Sequence, residues 1–125
     1  MGWVRRISIF LALSAILALL APAMLQAGGR GFRNEHYLEE HYSKHGPEFG
    51  NVSKQEYLKM AQSLRDAKVG AEVLESKRPD GSATRFDKRR GWFVAFDADG
   101  TIRTFFIPND GIRYFHRQAN TYGGR

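Results

Sequence analysis

The 125-residue chain contains no cysteine. That absence excludes a disulfide framework, a thiolate nucleophile and a Cys-based zinc site, so packing alone must hold the fold together. Internal repeats are missing, and so are a phosphate-binding glycine loop and a cluster of acidic metal ligands. The aspartates of DADG (97–100) lack the further ligands of an EF-hand loop and read as a turn between strands. No metal or cofactor is called for.

Long hydrophobic runs are also scarce, and the single one sits at the N-terminus. ISIFLALSAILALL follows Arg5 and Arg6 and is followed by APAMLQA, with small residues at Ala21, Ala23 and Ala27. This order of charge, apolar core and small-residue cleavage site reads as a secretory signal. The alternative is an uncleaved membrane anchor, because Ile7 to Leu25 approaches bilayer-spanning length. Pro22 and the small residues favour cleavage by breaking the run where a protease needs an extended chain. The expectation is a signal peptide over residues 1–27 and one domain over residues 28–125. The product would be secreted or periplasmic, with no stable membrane association once the leader is removed.

Charge is unevenly distributed. The formal net charge is +6, and residues 76–125 carry ten basic against five acidic side chains, whereas residues 28–75 are nearly balanced. A basic C-terminal half can attract a polyanion, although such an excess also suits an ordinary soluble surface.

Local patterns predict helices first and strands after them. Asn34 is placed to cap a helix through EHYLEEHYSKH, which Gly46, as a left-handed cap, and Pro47 would end. Ser53 and Glu56 have capping-box spacing, and Tyr57, Leu58, Ala61 and Leu64 then recur at helical intervals. From Val69 the period shortens. AEVLES, ATRFD, GWFVAFD and TIRTFFI are separated by RPDG, KRRG and DADG, the signature of antiparallel hairpins. DGIRYFHRQ fits a last strand or a short terminal helix, and the strand is the expectation. The fold class is α+β, with two N-terminal helices packed on a four-stranded antiparallel sheet.

HYSKHGPEFG (41–50) carries the densest chemistry. His41 and His45 are four apart and share one helix face with Lys44 beside them. The spacing suits a metal pair, but no glutamate directly follows His41, and His36 lies roughly 140° around the helix, a poor third ligand. His45 stands in the last turn, where it can act as a proton donor, face a phosphate, or simply satisfy a terminal carbonyl. Farther on, alternation in TIRTFFI puts Ile102, Thr104 and Phe106 on one face and Arg103, Phe105 and Ile107 on the other, so Arg103 and Thr104 point apart. Arg113, Tyr114, His116, Arg117 and Gln118 add groups used to clamp phosphate and move protons. Phe93, Phe96, Phe105, Phe106, Tyr114 and Phe115 interleave with the basic residues, either as an RNA-stacking platform or as core.

In their order and spacing HYSKHGPEFG, SKQEYLKMAQSL, RPDGSATRFD and GWFVAFDADGTIRTFFIPNDGIRYFHRQ resemble the small C-terminal toxin domains of bacterial polymorphic-toxin and contact-dependent inhibition systems. Those domains belong to the barnase, EndoU, colicin D and RelE-like superfamily of metal-independent ribonucleases, and the likeness spans residues 36–118. It implies an exported endoribonuclease toxin or effector that cleaves RNA, tRNA among its candidate substrates, by attack of the 2′-hydroxyl. A cognate immunity protein is the partner it implies. By that likeness the catalytic residues are His41, His45, Arg103, Thr104 and Tyr114, and Lys44, Arg113, His116 and Gln118 bind substrate. Such toxin domains ordinarily end long delivery proteins, whereas here the domain follows its own leader. The competing expectation is a non-enzymatic secreted or periplasmic module that binds an anionic polymer or an acidic protein.

Overall fold

A computed structural model of the chain describes residues 29–123, and the expected signal peptide lies outside them. Helix α1 spans Glu35–His45, runs on into a 3-10 turn over Gly46–Phe49, and is followed by α2 over Lys54–Asp66. Four strands come next: β1 Val73–Lys77, β2 Ala83–Asp87, β3 Trp92–Phe96 and β4 Ile102–Phe106; a third helix, α3, covers Ile112–Gly123. Among the described residues no helix is long and apolar enough to cross a membrane.

The starts of α1 and α2 are dictated locally. The Asn34 side chain accepts from the Tyr37 N–H at 3.1 Å. Ser53 and Glu56 form the full reciprocal box, with Ser53 Oγ accepting from the Glu56 N–H at 3.1 Å and the Glu56 carboxylate from the Ser53 N–H at 3.0 Å. Two of the orphan donors that open α2 are thereby satisfied. Gly46 departs from expectation, since its φ of −50° is right-handed. Space, not handedness, requires glycine here: a Cβ would come within 2.8 Å of the Tyr42 ring. Pro47 fits the first turn of the 3-10 segment, and the chain reverses instead at Gly50, whose φ is 88°.

The strands pair in sequence order as an antiparallel meander, β1-β2-β3-β4. Gly81 and Gly100 close two of the hairpins at φ of 87° and 91°, a region open to glycine. Aspartates finish the turns: Asp80 accepts from the Ser82 N–H, Asp87 from Arg89 and Arg90, and Asp99 from Thr101. The aspartates of RPDG, KRRG's approach and DADG are therefore turn-formers, as the strand spacing implied.

Both faces of the sheet are covered. Leu38 of α1 and Tyr57, Ala61 and Leu64 of α2 pack on Val94, Ile102 and Phe105. Phe86 and Phe93 on the opposite face meet Phe115 of α3. This second layer corrects the expectation of a strand at DGIRYFHRQ, which is helical from Ile112. Tyr114, Phe115, Gln118 and Ala119 make a stripe of helical period that is buried or half-buried, and Pro108 ends the preceding extended run.

A bulge in β4 corrects the expected alternation as well. Ala95 pairs with Thr104 but Phe96 with Ile102, leaving Arg103 as the extra residue. Ile102 and Phe105, three apart, consequently enter the same core, while Phe106 serves the other one. Tyr57, fully buried, pins α2 to this strand by donating its hydroxyl to the Phe105 carbonyl at 2.5 Å. Burial and the nearby Glu48 charge raise the Tyr57 pKa far above its ordinary value. Of the aromatics placed among the arginines, Phe93, Phe105 and Phe115 are core.

Leu64→Ala should cost about 2–5 kcal/mol by opening a cavity between α2 and the sheet. Ser53→Ala should cost about 1 kcal/mol by removing the cap. Urea unfolding of the two variants checks both values and their order.

Candidate active site

Helix α1 packs against β4, one of the two edge strands, so its histidine face lines the seam between helix and sheet. His41 stacks on Phe32 with ring centroids 5.0 Å apart, His45 stacks on Phe106 at 5.2 Å, and the two imidazoles are 6.1 Å apart with planes inclined by 27°. The expected shared helix face is thus a stack of two near-parallel rings. Two open clefts meet at this stack.

One cleft, of about 420 Å³, is lined by Glu40, His41, Lys44, His45, Thr104, Phe106 and Tyr114. Five residues chosen from sequence, His41, Lys44, His45, Thr104 and Tyr114, come together in it. The other, of about 350 Å³, is lined by His41 together with Arg33, Tyr37, Asp97, Thr101, Ile102 and Arg103. Arg103 and Thr104 do open into different spaces, and the bulge rather than simple alternation separates them. His41 alone is common to both. Arg113, His116 and Gln118 lie on α3 outside the cleft that contains Tyr114. Arg113 and His116 are exposed, and Arg117 binds Asp110 while its guanidinium lies 5.7 Å from the Tyr114 ring centroid.

Glu48 is the residue that sequence reasoning missed. Its Oε2 is 2.6 Å from His45 Nδ1, and its Oε1 accepts from the Ile107 N–H at 2.9 Å. An ionised carboxylate only accepts, so Nδ1 of His45 carries the proton and donates it. Nε2 is the ring nitrogen that this contact leaves unengaged. The available signal was the three-residue spacing from His45 to Glu48, which becomes a contact only because Pro47 winds the intervening residues into a 3-10 turn. His45 therefore does not cap a helix carbonyl through Nδ1. It is an imidazole held from behind by a carboxylate that is itself held by the backbone, the arrangement that orients a general base.

His41 is the opposite case. Its Nδ1 is buried without a hydrogen-bond partner. Desolvation by burial, then the neighbouring His45, lowers its pKa below 6.5, and Lys44 adds to this while Glu40 opposes it. Charging the ring would place a second N–H on Nδ1 with nothing to receive it. Both effects favour the uncharged imidazole at the junction of the clefts.

Comparison of the chain with protein-family models finds no match, and comparison with curated proteins finds none either.

Because the folded state lowers the His41 pKa, the unfolded chain binds the extra proton first as pH falls through 6.5, and stability is lost below that value. The urea midpoint of the wild type should drop between pH 7.5 and pH 5 by more than that of His41→Phe, which keeps the stack on Phe32 without the titration. Equal drops in the two proteins would contradict a buried neutral imidazole.

Proposed function

We propose that the protein is a metal-independent endoribonuclease whose reaction centre is the cleft between α1 and β4. The observation that carries this reading is the His45–Glu48 pair opening into the same cleft as neutral His41 and Lys44. His45 Nε2 removes the 2′-hydroxyl proton of a ribose, and the freed oxygen attacks the adjacent phosphorus. The Nε2–H of His41 donates to a non-bridging oxygen as charge gathers on the phosphorane. Imidazoles with centroids 6.1 Å apart suit this division of labour, since one can accept from the 2′-hydroxyl while the other donates to a non-bridging oxygen of the adjacent phosphate.

Lys44 adds the cation of this cleft and supplies the proton that the departing 5′-oxygen needs. The products are a 2′,3′-cyclic phosphate and a 5′-hydroxyl, and solvent returns the proton from His45 to Lys44. Thr104 and Tyr114 line the wall opposite α1 and position the ribose. Arg103, in the neighbouring cleft, holds a flanking part of the strand. The order of motifs that resembles exported toxin domains supports RNA as the substrate, with an exported effector acting away from its producer and tRNA among its targets.

The purified protein should cleave RNA in EDTA and leave 2′,3′-cyclic ends, and His45→Ala should slow it by at least roughly a hundredfold. Glu48→Gln is the sharper test. Its amide would donate to His45 Nδ1, move the ring proton to Nε2 and remove the base while retaining the Ile107 contact. A loss of about 10³–10⁴-fold with unchanged unfolding is expected, by analogy with tautomer reversal in a catalytic triad. RNA left intact by micromolar wild-type protein would end the nuclease reading.

A further inference from the structure

We infer that the second cleft, beside Arg33, Tyr37 and Arg103, is a nucleotide subsite that stacks an unpaired base of single-stranded RNA next to the phosphate held at His41. The inference rests on the nuclease reading for the identity of the strand, but its own features are separate from the reacting groups.

Tyr37 is unusual among the large apolar side chains in being 38 % exposed. It sits in the first half of α1, one helical turn before His41, and both side chains line the same cleft. The Arg33 guanidinium lies over its ring, 5.4 Å from the centroid. Both residues are exposed, so this ring–guanidinium pair offers flat surface on which an unstacked base can continue the pile. A base inside a duplex has no free face to offer, so this surface selects single strands.

On the sheet side of the cleft, Arg103 is pushed out by the bulge in β4 and exposed. Its Nε is engaged by Asp97, a carboxylate that also lines the cleft, which leaves the terminal amino groups as the phosphate-facing part of the fork. The Thr101 side of the cleft lies next to these groups. A cation, a stacking platform and a hydroxyl-bearing wall around about 350 Å³ fit one nucleotide unit, with the base on Tyr37 and the phosphate toward Arg103. His41 joins this unit to the reaction centre, because it is the residue shared by both clefts. The strand would then run along α1 from Tyr37 toward His45. Recognition by stacking carries little preference for base identity.

The test is binding rather than turnover. A fluorescently labelled 2′-O-methyl hexanucleotide, which lacks the attacking hydroxyl, is titrated with the full protein at low salt, alongside inorganic polyphosphate of matched charge. Tyr37→Ala should weaken hexanucleotide binding about tenfold, as expected for loss of one stacked base. Tyr37→Phe should stay within about twofold of the wild type because the ring is retained. Polyphosphate binding should be unchanged by either. Arg103→Ala should weaken both ligands. The inference is overturned if the wild-type protein does not bind the hexanucleotide, if Tyr37→Ala binds it as the wild type does, or if polyphosphate loses as much as RNA. Tyr37-dependent binding without any cleavage would uphold the subsite and refute the nuclease; cleavage with Tyr37-independent binding would do the reverse.

Discussion

A single carboxylate joins the helical layer to the edge of the sheet. Strand β4 is the last of the meander, so its outward backbone donors have no further strand to meet. At one end the need is answered by the chain itself: the Ile102 N–H donates to the Gly31 carbonyl at 2.8 Å. At the other end Glu48 accepts from Ile107 with one oxygen and from His45 with the second. The site is thus built from a structural requirement. A residue needed to satisfy an edge strand also orients the histidine beside it.

The bulge at Arg103 organises what lies between those two pins. A regular strand would send Ile102 and Phe105 to opposite faces, and the α1–α2 core would lose one of them. The extra residue lets both enter that core while Phe106 packs with Tyr114 and Thr104 lines the cleft beside them. The seam beside α1 consequently receives a guanidinium on one side of His41 and a hydroxyl and a phenyl ring on the other. Buried Arg65 stabilises the same end of the sheet from beneath, donating to the Gly100 carbonyl at 2.9 Å and to the Arg30 carbonyl, so the β3–β4 turn and the segment leading into α1 share one anchor.

Much of this architecture was legible in the residues because it is local. The Ser53 and Glu56 box, the helical spacing of Tyr57, Ala61 and Leu64, and the turn residues between four short strands each declare their structure within a few positions. What was not legible depends on partners distant in the chain. The bulge exists only in the register of β3 with β4, and no single strand announces it. The clamp by Glu48 requires Ile107, 59 residues away. The tail was misjudged for a different reason: IRYFHRQ is too short to separate two periods, and the stripe that decides for a helix is completed by Ala119. His41 and His45 could be seen to share a face. Only the packing of Phe32 and of Phe106 against them shows that the two rings stand in different surroundings, His41 on Phe32 with an unpartnered Nδ1 and His45 on Phe106 with Glu48 behind it.

Every strand pairing here links neighbours in sequence, so the sheet can assemble by closing short loops at small entropic cost. The helix-to-edge seam is different in kind, since closing it joins the 3-10 turn to the far end of β4 across most of the domain. Such contacts are late to form and early to open. The clefts therefore lie along a seam that is closed by contacts distant in the chain, whereas the meander beneath it is closed by neighbours.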